Sequence, residues 1–171
     1  KSNGGDDTIH GGSGNDTING NDGNDTIIGG YGGDQLTDSK GDEIFVYLSA
    51  IDSNATQFDT IIDFTSGTDK INLAALGALA FVHMTSTSTS VPPHTLAWIY
   101  NPTSNETIIY VNPTDRSLDI GDPGLLEIHL QGVVSAAESD FVYEPEAAVA
   151  AALEGIDPAL LVATARDGTV L

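Results

Sequence analysis

Gly11-Gly12-Ser13-Gly14-Asn15-Asp16-Thr17-Ile18-Asn19 runs without a gap into Gly20-Asn21-Asp22-Gly23-Asn24-Asp25-Thr26-Ile27-Ile28, and the match between these two nine-residue units decides how the chain is read. The unit before them, Ser2 to His10, and the two after, Gly29 to Thr37 and Asp38 to Val46, keep the same phase. Position six is acidic in all of them, as Asp7, Asp16, Asp25, Asp34 and Glu43, and position eight is apolar, as Ile9, Ile18, Ile27, Leu36 and Phe45. An in-phase period of this kind marks a repeat architecture. Glycines at positions one, two and four permit a tight turn with positive φ and bring bare carbonyls inward. The three residues centred on position eight form a short strand whose one apolar side chain faces the core. Asn3 and Asn21 stand at position two, where Asn tolerates the left-handed region better than other residues.

If two units make one coil, position-six acids stack at a separation of 18 residues: Asp7 with Asp25, Asp25 with Glu43, Asp16 with Asp34. Stacked strands lie about 4.8 Å apart. At an effective dielectric near 20 each like-charge pair repels by roughly 3–4 kcal/mol, against a typical domain stability of about 5–15 kcal/mol. The roll is therefore not expected to close empty. Oxygen ligands alone, with no His or Cys in the turns, suit a hard divalent cation, and several calcium ions are the expected cofactor. Folding and metal binding are then one event. Asp25, in phase with Asp7 before and Glu43 after, is expected to be the most damaging single ligand to lose.

Composition narrows the function. Of 171 residues, 25 are Asp or Glu and 5 are Lys or Arg, a net charge of -20 that repels phosphate backbones and excludes a nucleic-acid partner. Cysteine is absent, which removes disulfides, zinc thiolates and cysteine nucleophiles. No apolar run approaches the roughly 20 residues of a membrane span. Lys1 opens directly into the repeats, so the chain is expected to be part of a longer protein, with an upstream catalytic or effector domain.

After Phe45 the period breaks into short strands separated by turn clusters: Ile44 to Leu48, Thr60 to Phe64, Lys70 to Leu73, Ala80 to Met84, Thr95 to Tyr100, Thr107 to Val111 and Leu125 to Leu130. From Glu144 the chain turns alanine-rich, and Asp157-Pro158 opens a second short helical stretch. Three segments follow: a roll over 1–47, a β cap over 48–143 and a helical tail or linker over 144–171. The tail is expected to be peripheral to the core.

The nonapeptide resembles the calcium-binding repeat of RTX proteins. Ile44-Phe45-Val46-Tyr47, Asp59-Thr60-Ile61-Ile62-Asp63-Phe64, Gly67-Thr68-Asp69-Lys70-Ile71-Asn72-Leu73 and the later Ser139-Asp140-Phe141-Val142 are similar to the region that follows the repeats in secreted serralysin-type metalloproteases and alginate epimerases. This resemblance implies an all-β fold, a right-handed parallel β-roll capped by an antiparallel β-layer or sandwich. It implies a non-catalytic module, secreted from a Gram-negative bacterium, with the type I ABC export machinery as partner. Ligands carried over from the family motif are Gly11, Gly12, Ser13 and Gly14 with Asp16, Gly20, Asn21, Asp22 and Gly23 with Asp25, and Gly29, Gly30, Tyr31 and Gly32 with Asp34. Asp7 and Glu43 complete the position-six series. Asp52, 18 residues after Asp34, falls at position six of a sixth turn, and Asp59 matches a further family Asp; both are expected to close the last site. Glu43 and the residues beyond Tyr143 depart from the family pattern.

Catalytic readings find little support. His10, His83, His94 and His129 are scattered and no H-E-x-x-H is present. Ser13 lacks the final glycine of a nucleophile elbow. Asp122-Pro123 matches the bond cut by some calcium-induced self-processing modules, but a Gly-Asp-Pro-Gly turn explains the same residues. Tyr31 is expected to point outward, and Trp98 to serve the core rather than a sugar platform. The alternative to a folding and export module is a polysaccharide-binding module of a secreted carbohydrate-active enzyme.

Overall fold

The computed structural model describes residues 3–145. Five strands come from the repeats: β1 (Thr8–Ser13), β2 (Thr17–Asp22), β3 (Thr26–Tyr31), β4 (Gln35–Lys40) and β5 (Ile44–Val46). Ten more follow: β6 (Asp59–Ile61), β7 (Lys70–Asn72), β8 (Ala78–His83), β9 (Ser90–Val91), β10 (Thr95–Asn101), β11 (Glu106–Asn112), β12 (Leu118–Asp119), β13 (Leu126–Gln131), β14 (Phe141–Val142) and β15 (Glu144–Pro145). The chain is all-β, and its parallel roll is as the repeat predicts.

Two units do make one coil. β1 pairs β3 with Thr8 opposite Thr26, β3 pairs β5 with Thr26 opposite Ile44, and β2 pairs β4 with Thr17 opposite Gln35, each parallel and 18 residues on. Odd-numbered repeat strands therefore build one sheet, of order β1-β3-β5-β7-β14, and even-numbered ones enter the other, of order β15-β8-β10-β11-β13-β6-β4-β2. β1 to β4 are six residues long rather than three, because pairing continues through the glycine positions, as at Gly12 opposite Gly30. Ile18, Ile27, Leu36 and Phe45 are buried between the sheets as position eight requires, and Ile9 packs against them from the end coil.

The same core runs on through Ile61, Ile71, Leu96, Ile109, Leu126, Leu130 and Phe141, so roll and cap share one apolar interior. A second cluster, including Val91, Ala97, Ile108, Leu118 and Leu125, lies under the β9–β12 ribbon on the other face of the cap sheet. β11 is accordingly buried along nearly its whole length. The layer predicted as antiparallel is mixed. β10–β11 and β11–β13 are antiparallel, but β8 runs parallel to β10 and β13 parallel to β6. Ribbon β9–β12 occupies the crossover from β8 to β10, and two-residue strands such as these carry no periodicity from which to be read.

β14 closes the first sheet against β7, with Phe141 opposite Ile71. Asp140, 1% exposed, fixes this seam: its carboxylate accepts from Gly67 N at 2.9 Å, Ser66 Oγ at 2.8 Å and Ala137 N at 2.9 Å. Glu144 and Pro145, placed with the tail by composition, instead pair as β15 with Ala78 and Leu79. The remainder of that predicted helical segment lies outside the described residues. Trp98 packs against the main core, its ring stacked 3.9 Å from that of His83, and Tyr31 is 53% exposed, as expected. Asp122 forms a turn in which its Oδ1 accepts from Gly124 N at 2.8 Å.

Candidate metal centre

Coil stacking brings the position-six acids together in two ladders, one on each edge of the roll. On the first, Asp7 N donates to Asp25 Oδ1 at 2.9 Å, Asp25 N to Glu43 Oε1 at 3.4 Å, and Glu43 N to Asp69 Oδ1 at 3.1 Å. On the second, Asp16 N donates to Asp34 Oδ1 and Asp34 N to Asp59 Oδ1, both at 2.9 Å. One carboxylate oxygen thus grips the coil behind. Position five works the other way: Asp6 Oδ1 accepts from Asn24 N, Asn15 Oδ1 from Gly33 N and Asn24 Oδ1 from Asp42 N.

The other oxygen is left over. Asp16 Oδ2, Asp25 Oδ2, Asp34 Oδ2, Glu43 Oε2 and Asp59 Oδ2 are buried with no hydrogen-bond partner. Asp25 and Asp34 are 1% exposed, Glu43 and Asp59 0%. Such orphans are costly unless a cation joins them, since an unsatisfied buried anion carries its full desolvation penalty. The glycines shape the same space. A Cβ on Gly11 would stand 2.8 Å from Asp16 Oδ2, and one on Gly20 or Gly29 would overlap Asp25 Oδ2 or Asp34 Oδ2. Position one is glycine for close approach, whereas positive φ occurs at positions two and four, including Asn21 at 74°. The carbonyls of Asp22 and Tyr31 also accept from Gly5 N and Gly14 N, both at 2.8 Å, so position three helps hold the coils in register. The donor set, carboxylates and glycine-turn carbonyls, fits a hard cation.

Asp52 is not in register with Asp34. The chain between β4 and β6 carries an inserted turn, so Asp59 pairs at a separation of 25 instead. Asp52 sits in a short 3-10 turn, where its Oδ2 accepts from Leu48 N and Ser49 N, both at 3.0 Å. Nor is Asp25 unique in having acids on both sides. Asp34 lies between Asp16 and Asp59, and Glu43 between Asp25 and Asp69.

Sequence reading also passed over Asp38, Asp63 and Asp69. Asp63 accepts from Asp38 N at 3.0 Å and Ser39 N at 3.1 Å, extending the second edge into the cap. Asp69 is 26 residues after Glu43, a spacing that the nonapeptide period hides. Gly67-Thr68-Asp69-Lys70 followed by a β-strand was the available signal.

Burial, with the Asp34 and Asp52 charges nearby, pushes the Asp59 carboxyl up to about 7. Burial also raises Asp34, with Asp16 and Asp52 adding to the effect, and raises the adjoining Asp38 and Glu43. Every one of these groups holds its proton more tightly folded than unfolded. Their contribution is thus present below the ordinary carboxylate range near 4 and lost as pH rises through about 7 at Asp59. In chelator, the chain is expected to gain β-sheet circular dichroism as pH falls from 8 to about 5. A metal-free signal that strengthens toward pH 8 would contradict this placement of the acids.

A family model described as the peptidase M10 serralysin C terminal matches residues 6–143. Among solved structures, the fold is similar to two subunits of a mannuronan C5-epimerase from Azotobacter vinelandii. AlgE6R3 aligns with a TM-score of 0.53 at 23% identity, covering 83% of this chain and 80% of that one. AlgE6R2 aligns with a TM-score of 0.54 at 24% identity, covering 82% and 89%. No curated protein sequence matches the chain.

Proposed function

The chain belongs to the peptidase M10 serralysin C-terminal family, and from this premise we infer that it is a non-catalytic, calcium-folded module of a secreted bacterial protein. One observation carries the reading: five buried carboxylate oxygens on two stacked ladders have no hydrogen-bond partner. Calcium supplies what they lack, a hard cation tolerant of six to eight oxygens in irregular geometry. The ligands are the position-six acids Asp7, Asp16, Asp25, Asp34 and Glu43, then Asp59, with carbonyls from the glycine turns. Calorimetric titration of the chain with calcium and with magnesium tests it. Calcium is expected to bind at several sites and magnesium, which demands near-ideal octahedral geometry, far more weakly. Absence of any calcium heat at millimolar concentration would end the proposal.

The role follows from where such ions are found. In a compartment poor in calcium the ladders repel and the chain stays open for passage; outside the cell, calcium closes the roll. Type I export machinery and an upstream catalytic domain are the partners this role calls for. Among the described residues no helix is long and apolar enough to cross a membrane. A second reading, polysaccharide binding, draws on the epimerase subunits that share the fold. Mannuronan is a polyanion, and 5 basic residues against 25 acidic ones disfavour it here. Heat on adding mannuronan to the calcium-loaded protein would reverse that preference.

A further inference from the structure

The fifth unit departs from the repeat at two positions at once. Asp38 stands at position one, where the three units before it have Gly11, Gly20 and Gly29, and Glu43 stands at position six in place of Asp. In those earlier units any side chain at position one would run into the outer oxygen of the position-six acid. The fifth unit places a side chain there, only 4% exposed, and lengthens the facing acid by one methylene. A third acid arrives from the cap. Asp69 is held from two sides, its Oδ1 accepting from Glu43 N at 3.1 Å and its Oδ2 from Thr65 N at 2.7 Å.

One carboxylate oxygen from each of Asp38, Glu43 and Asp69 lies within 4.8 Å of the others, and all three residues are buried. Two oxygens bound to one calcium at about 2.3–2.6 Å can be no more than about 5 Å apart, so a single ion can reach all three. Glu43 is 0% exposed and its Oε2 has no hydrogen-bond partner. No lysine or arginine among the described residues pairs with any of the three. Three buried acids without a counter-charge are unstable as anions; they require a cation or protons.

We infer that Asp38, Glu43 and Asp69 form a tricarboxylate cation site at the seam of roll and cap, distinct from the glycine-turn sites and tighter than they are. This rests on the reading of the roll as calcium-binding. Affinity for hard cations rises with the number of charged ligands, and this site offers three carboxylates where a glycine turn relies largely on carbonyls. It is therefore the first to fill, and it ties β4, β5 and the Thr65–Lys70 turn before the outer coils are loaded. A trivalent lanthanide should displace calcium here before it does so elsewhere.

The test is a calcium titration of the full chain by calorimetry, repeated for Asp38→Gly, Asp38→Asn and Asp16→Ala. Asp38→Gly restores the glycine of the other units, and Asp38→Asn keeps the side chain's shape, so the test remains open if one variant fails to fold in saturating calcium. Both are expected to weaken the tightest step by about tenfold or more and leave the weaker steps in place. Asp16→Ala should do the reverse. In the unaltered chain, one equivalent of terbium(III) should abolish only the tightest calcium step. Asp38 variants that titrate like the parent, or a glycine variant that binds more tightly, would overturn the inference and leave the glycine-turn reading standing. Failure of the parent chain to bind calcium at all would instead remove the reading beneath it.

Discussion

Chelation of calcium at pH 8 is expected to abolish the β-sheet circular dichroism of the chain, and readdition to restore it. Five buried carboxylate oxygens lack a partner. Each unsatisfied buried polar atom costs about 1–3 kcal/mol, and more when charged, so five rival the whole of a typical stability of about 5–15 kcal/mol. Apolar burial does not offset this in the roll, where each unit contributes one core side chain to nine ordered residues. An ion that binds only the folded chain stabilises it by about 2.7 kcal/mol at a hundredfold excess over its Kd, at each site. The melting temperature should accordingly climb with calcium concentration without an early plateau. An identical melting curve in chelator and in millimolar calcium would show that the ladders are satisfied by something else.

Gly30→Ala is expected to cost about 4 kcal/mol or more in calcium, whereas Gly12→Ala, at the same repeat position, costs only about 1–2 kcal/mol. Both glycines have positive φ, 96° and 105°, so the backbone strain is shared. Their neighbours differ. A Cβ on Gly30 would overlap Gly12 O in the coil behind, while one on Gly12 meets nothing within 4 Å. The excess loss at Gly30 is therefore the price of forcing two coils apart. Urea midpoints of the calcium-loaded variants measure it. Equal losses would mean that residues 12 and 30 are not stacked, and that the 18-residue register is wrong.

Where the period is strict, the fold was legible: position eight predicted Ile18, Ile27, Leu36 and Phe45 as core, and position six predicted which acids meet. Legibility ended where the chain between coils lengthens. A turn inserted after β5 moves the partner of Asp34 from Asp52 to Asp59, and extends the step after Glu43 to Asp69. Such insertions are invisible to a rule based on counting. Asp38 was overlooked because it occupies a glycine position, and the repeat pattern treats a departure there as decay. Only the third dimension places Asp69 beside it. The cap strands β9, β12 and β14 were missed for a different reason: at two residues each, what defines them is the partner strand and not their own composition.

Within the roll, each coil offers the coil ahead and the coil behind the same donors and acceptors, because position five bonds forward and position six bonds backward. The stack consequently has no inherent length. A duplication of 18 residues would slip a new coil between two old ones, and neither neighbour would register a change. Cap strands enjoy no such freedom, since each has its own partner and any inserted residue shifts a register. Across descendants of one ancestral gene, roll length should drift in whole nonapeptides, while the cap keeps its length and diverges by substitution.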